Sequence, residues 1–202
     1  MLQPIFFQEI QKKYLGRECM NFPLAKNWTE ESFKELFQQQ HMTVVLEDQS
    51  SIQADFYFLI DKTFEMKQSM AVGFISSENT FLPYLSIRDN LFVGSSIKEK
   101  DKKKRLDDLF IYVGLATNVL NKSEEELTSF EQIKLHLVQL MLIEKDVIII
   151  DDIFQKLSIG QRQELLPLLQ KIAKEKQKAI LVLTNDIQIA ESPYMDKVIK
   201  IA

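Results

Sequence analysis

Short, unbroken apolar runs recur along the chain, alternating with stretches whose apolar residues return every three or four positions. "TVVLE" (43–47), "MAVGFI" (70–75), "DVIIID" (146–151) and "AILVLT" (179–184) are runs of the first kind. They are short and apolar throughout, which predicts strands buried on both faces. Helical periodicity occupies 51–61, 86–96, 101–113, 129–144 and 159–175. "SPYMDKVIKIA" predicts one more short strand. Thr128 with Glu131 and Ser158 with Gln161 have the spacing of capping boxes, each ahead of a helix. Strands alternating with helices imply an α/β fold with a largely parallel core sheet. Such sheets bind ligands beyond the carboxyl ends of their strands. One run ends there on two acids, Asp151 and Asp152. Such a pair can hold a magnesium ion beside a phosphate, or simply end a strand in water.

The 202 residues suit one domain with a sizeable core, and 46% hydrophobic against 27% charged residues suits a globular chain. A net charge of −4 argues against nucleic acid as a partner, because phosphate binding needs a basic face. The basic run "KEKDKKKR" (98–105) reads as the solvated start of a helix rather than a lipid or phosphate patch. A single cysteine, Cys19, excludes an intrachain disulfide, and a buried or idle thiol is expected there. We expect no signal peptide at "MLQPIFFQEIQKKY", no metal site and no insertion into a membrane. His41 and His136 have no acid–nucleophile grouping around them, and His136 is expected to be a partly exposed helix residue. Trp28 is expected to pack at a helix entry capped by Thr29.

Four stretches resemble the nucleotide-binding domain of ATP-binding cassette (ABC) transporters. "VGFISSENTFLPYLSIRDNL" (72–91) is similar to the glutamine-loop segment, and "RLDDLFIYVGL" (105–115) to the helical subdomain. "LTSFEQIKLHLVQLMLIEKDVIIIDD" (127–152) is similar to the signature motif, its helix and the Walker B strand, without a gap. "AILVLTNDIQIAE" (179–191) resembles the switch-histidine strand and the helix after it. The resemblance implies a P-loop NTPase-like core of one domain, residues 1–202. A helical subdomain would be inserted at 76–145 and the antiparallel β-subdomain reduced. Because the chain stops at its last strand, no C-terminal regulatory domain is expected.

Residue by residue, the motifs depart from the family. The phosphate loop, normally G-x-x-G-x-G-K-S/T, is matched by "EDQSSIQAD" (47–55), which has no glycine. Ser50 lies within it, Gln53 takes the lysine position, and Ala54 takes that of the magnesium-binding hydroxyl. Ser77 falls on the glutamine of the glutamine loop. The signature reads Leu127-Thr128-Ser129-Phe130-Glu131 where the family has L-S-G-G-Q. Asp151 matches the Walker B aspartate, Asp152 the catalytic glutamate, Ser158 the D-loop aspartate and Asn185 the switch histidine. Tyr14 matches the adenine-stacking aromatic in a loose alignment.

A phosphate loop aims successive backbone N–H groups at phosphate, and glycines permit that approach. Gln53 cannot replace the lysine's charge, and Glu47 and Asp48 bring negative charge to a site for a polyanion. Losing these contacts plausibly removes ~5 kcal/mol or more, over a thousandfold in affinity. Glu131 is expected to fold back onto its own helix N-terminus, placing a carboxylate where the γ-phosphate should sit. No catalytic residue and no bound cofactor is therefore expected, with Asp151, Asp152 and Asn185 as relics. Mg-ATP would return as cofactor only if the chain is a working ATPase with unusual motifs.

The resemblance implies an intact ABC ATPase subunit and a membrane permease as partners. The chain itself would be cytoplasmic, held at the inner face of the membrane through them. Phe81, Leu82, Tyr84 and Leu85, in the segment where the family meets the transporter, are the expected contacts. Three readings stand at this point: a non-catalytic subunit, an active ATPase, and a free-standing regulatory or scaffold protein with the same fold.

Overall fold

The computed structural model describes residues 36–46, 71–76, 81–151 and 153–200. Five strands form one sheet: β1 (Met42–Leu46), β2 (Val72–Ser76), β3 (Val147–Asp151), β4 (Ala179–Thr184) and β5 (Lys197–Lys200). Their order is β2-β3-β4-β1-β5, and every pairing is parallel. Between β2 and β3 the described elements are helical: α1 (Ile87–Leu91), α2 (Glu99–Val113), two 3₁₀ turns, and α3 (Ser129–Leu142). A 3₁₀ turn (Ile153–Lys156) and α4 (Ile159–Glu175) join β3 to β4, and α5 (Ile187–Ala190) follows β4.

The continuous apolar runs are explained by burial on both sheet faces. Val44, Ile75, Ile148, Ile150, Ile180 and Val182 face the core shared with α2, α3 and α4. Val45, Ile149, Leu181 and Leu183 face the other way, onto Leu36 and Phe37. Helix α3 lies so near β2 that a Cβ on Gly73 would stand 2.5 Å from a Leu140 methyl carbon. Gly114 ends α2 in the left-handed region, at φ +66°, where other residues are strained. Its N–H donates to the Ile111 carbonyl, and the next N–H, of Leu115, donates to that of Phe110.

The α/β architecture with a parallel sheet matches the sequence expectation; the first four strands lie within two residues of their predicted places and the fifth falls inside the stretch predicted for it. The predicted helix 86–96 is shorter, because the chain turns after Leu91 and Gly94 adopts φ +80°. The helix predicted at 101–113 begins two residues earlier, at Glu99. The predicted helix 51–61 and the place of the antiparallel subdomain lie outside the described residues.

The topology also locates a crevice. From β1 the chain goes on to β2 at one edge; from β4, its neighbour, it goes on to β5 at the other. Neighbouring strands whose connections depart in opposite directions form a switch point, and ligands bind beyond their carboxyl ends.

Candidate functional site

At that end, Asp151 is half-buried and sits opposite Ser76 of β2 and Leu183 of β4. Thr184, the last residue of β4, is fully buried, and its hydroxyl accepts from the Asp186 N–H at 3.1 Å. Asp186 then caps α5, with Oδ1 accepting from the Gln188 N–H at 2.9 Å. Its Oδ2 accepts from Arg162 Nη1 at 2.8 Å. A cation in the first turn of a helix opposes the dipole, and Asp186 offsets that cost for Arg162 in α4. Asn185 accepts a long hydrogen bond, 3.4 Å, from Gln155 Nε2. Ser158 caps α4: its hydroxyl accepts from the Gln161 N–H, and the Gln161 side chain accepts from the Ser158 N–H. Ser158 is thus engaged in its own helix cap, and Asn185 in a bond across to the turn after β3.

The N-terminus of α3 is occupied in the same way. Glu131 Oε2 accepts from the Thr128 N–H at 2.9 Å and from its hydroxyl at 3.0 Å, and that hydroxyl accepts from the Glu131 N–H. Glu131 Oε1 takes an ion pair from Lys122 at 2.7 Å. The Lys122 bond holds the Glu131 carboxyl below its ordinary range; desolvation opposes this, and the bonds from Thr128 add to it. Just upstream, Ser123 and Glu126 form a second capping box. Phe130 is half-buried under Lys134, whose Nζ stands 4.5 Å from the ring centroid. Lys134 is only 3% exposed. Its Nζ donates to the Gly114 carbonyl at 3.2 Å, where it meets the C-terminal dipole of α2, and it is ion-paired with Glu164 of α4.

The loop before α1 has the opposite character. Asn90 is 2% exposed, and its side chain lies inside the turn formed by residues 82–86. Oδ1 accepts from the Leu82 N–H at 2.7 Å, and Nδ2 donates to the carbonyls of Leu82, Leu85 and Ser86. Its own carbonyl accepts from Gln139 of α3 at 2.9 Å. On this tethered turn Tyr84 is 78% exposed, while Leu82 and Leu85 are half-buried.

Two expectations fail here. Phe81, grouped with the partner contacts, is 4% exposed; its ring stacks on His136 with centroids 4.5 Å apart. His136, expected to be partly exposed, is buried. One cause serves both: α3 lies against β2, α1 and α2, so the polar positions of its middle turns face protein.

Tyr14, Glu47, Asp48, Ser50, Gln53, Ala54, Ser77 and Asp152 lie outside the described residues, as do Cys19, Trp28 and Thr29. Sequence reasoning missed Asn90, Lys134 and the Arg162–Asp186 pair. Of these Lys134 had a legible signal, since a lysine between Ile133 and Leu135 must find a partner when that helix is covered on every side. Among the described residues no group of His, Cys, Asp or Glu could hold a metal ion. None of their helices is long and apolar enough to cross a membrane.

No family model matches the chain. It is 27% identical over 142 residues to the thiamine import ATP-binding protein ThiQ of Histophilus somni, covering 69% of this chain and 64% of that protein. It is 27% identical over 123 residues to the aliphatic sulfonates import ATP-binding protein SsuB of Bacillus licheniformis, covering 61% and 47%. The matched part thus spans less than two thirds of the length of these relatives. Among solved structures, the dimeric bacterial ABC transporter cassette MJ0796 superposes with a TM-score of 0.65 at 14% identity, covering 82% of each chain. The cbiO1 subunit of Clostridium perfringens, part of the ABC transporter complex cbiONQ, gives 0.64 at 18%, covering 80% of this chain and 73% of that one. The chain therefore has the fold of an ABC transporter ATP-binding cassette.

Proposed function

We propose that the chain is a non-catalytic homologue of ABC ATP-binding subunits, pairing with an intact ATPase subunit and docking on a membrane permease. The observation that carries the reading is the closed N-terminus of α3. There the Glu131 carboxylate, held by Lys122, occupies the place where an amide-lined helix end would meet an anion. A nucleotide phosphate would have to displace a charge-assisted pair and then lie beside a carboxylate. This helix end, filled by its own carboxylate, does not suit a nucleotide phosphate.

The partner reading rests on what the same end exposes. Ile159 at the start of α4 is 75% exposed and Ile187 at the start of α5 is 44% exposed. Exposed Gln155, Ser158 and Gln188 lie near them in the chain. Exposed isoleucines suit an interface, with the paired Arg162 and Asp186 and the exposed Lys156 forming its polar surroundings. A homodimer would bring the same closed helix end from both copies, whereas an intact partner would bring an open one of its own.

Calorimetric titration of the isolated protein with Mg-ATP tests the reading. We expect no affinity tighter than about 1 mM. Micromolar binding would overturn it in favour of a working ATPase. A stable homodimer through Ile159 and Ile187, seen by sedimentation with an Ile159→Asp control, would overturn the heteromeric part.

A further inference from the structure

We propose that the basic first half of α2 is a docking surface for an anionic phospholipid leaflet. As sequence alone, residues 98–105 read as a solvated helix start; three structural observations change that. First, six of these eight residues are basic, in a chain whose net charge is −4, so positive charge is concentrated on two helical turns. Clusters of four to eight Lys or Arg of this kind bind anionic leaflets, each cation adding to the attraction.

Second, the cations are free to serve. Of the six cations of this segment only Lys102 is in an ion pair among the described residues, to Glu99 at 2.7 Å. Lys98, Lys100, Lys104 and Arg105 line an open cleft of about 560 Å³ over Ile97, together with Asp101 and Asp108. The two acids weaken the field, yet cations outnumber them two to one, and all four basic side chains are exposed.

Third, the surroundings suit a leaflet. Helix α2 starts beside α1, with Lys102 Nζ 5.2 Å from the ring centroid of Phe92 just after it. Val93, next in the chain, is 36% exposed, and lysine stems beside it can lie along apolar surface while their charges stay at the headgroups. The basic segment is about 12 Å long, enough for several lipid headgroups but too short for many contacts along a nucleic-acid backbone. The inference goes beyond the docking reading and needs neither the permease nor the heteromer.

Co-sedimentation of the isolated full chain with vesicles tests it. We expect binding to phosphatidylcholine vesicles containing about a third phosphatidylglycerol at low ionic strength, none to pure phosphatidylcholine, and release at about 0.5 M salt. Lys100→Glu with Lys104→Glu should lower the partition coefficient at least about tenfold. A charge-matched control on α4, Lys171→Glu with Lys176→Glu, should retain binding. If the charge reversals alter the melting curve, Lys100→Gln with Lys104→Gln serves instead. The proposal is overturned by absence of binding to anionic vesicles, by equal binding to neutral ones, or by a variant as strong as wild type. It is also overturned if a short oligonucleotide of matched charge binds more tightly than the vesicles. None of these outcomes involves a permease or ATP, so they leave the docking and nucleotide readings to their own tests.

Discussion

The N-terminus of α3 and the turn before α1 are both made of short polar hydrogen bonds, yet they face opposite ways. At α3, Thr128, Glu131 and Lys122 satisfy one another, and the helix end is closed to anything from outside. At the turn, Asn90 takes up the inward-facing backbone groups and leaves Tyr84 standing in solvent. The first region spends its polar groups on its own stability. The second spends a buried amide on holding an exposed aromatic in one place. Self-satisfied caps need no partner. A tethered turn that presents a tyrosine lowers the ordering cost of binding one.

The largest expected effect is at Asn90. Asn90→Leu leaves the Leu82 N–H and the carbonyls of Leu82, Leu85 and Ser86 without their side-chain partner. A buried group stripped of its bond costs about 1–3 kcal/mol. With some groups regaining water, we expect a loss of about 3 kcal/mol and a melting temperature lower by roughly 6–12 °C. A loss under about 1 kcal/mol in a denaturant titration would mean that packing, not Asn90, shapes the turn.

Next comes the cap of α3. Thr128→Ala removes the acceptor for the Glu131 N–H and one donor to the Glu131 carboxylate. Such substitutions cost about 1 kcal/mol. Because Lys122 still holds Glu131, the helix end stays closed, and no gain of Mg-ATP affinity is expected by calorimetry. Appearance of micromolar binding in this variant would show that Thr128 alone closes the site.

The same cap gives a pH dependence. Glu131 has its carboxyl held below the ordinary value of 4.5, chiefly by Lys122. The unfolded chain therefore takes up a proton at a higher pH than the folded one. The stabilising contribution is complete above about pH 5 and is lost as pH falls below 4.5 through the depressed folded value. Glu131→Gln should be less stable than wild type near neutral pH, and the difference should shrink on acidification. A constant difference between pH 7 and pH 3 would show that the ion pair adds nothing.

These two regions were unequally legible in the sequence. The capping boxes at Thr128–Glu131 and Ser158–Gln161 could be read because they use residues three apart, a local rule that packing seldom overrides; the same spacing at Ser123–Glu126 was passed over. The strands could be read because burial on both faces leaves unbroken apolar runs. The turn at 81–86 has no periodicity, so "FLPYL" carried no sign that Phe81 turns inward and Tyr84 outward. That division is made by α3, which brings His136 under Phe81 from 55 positions away. Asn90 was invisible for a related reason. An asparagine four residues past a helix cap is ordinary until the chain before it curls back over the amide. Contacts set by neighbours in sequence were legible; those set by the docking of α3 against the sheet were not.

The smallest expected effect on stability is the one that most sharpens the comparison. Tyr84→Ala removes a side chain that is 78% exposed. No bond of the turn passes through it, since Asn90 binds the backbone of residues 82, 85 and 86. Its truncation should change stability by no more than about 0.5 kcal/mol, as for surface positions in general. If the turn exists to present this ring, co-purification with a membrane partner should nevertheless fall sharply, because aromatic anchors dominate binding energies. Leu85, half-buried under the same turn, should behave differently: Leu85→Asp should weaken both fold and capture. Unfolding by Tyr84→Ala would make the ring part of the fold rather than of an interface. Unchanged capture would remove the main support for the permease-docking reading and leave the closed end of α3 as the distinctive feature of this chain.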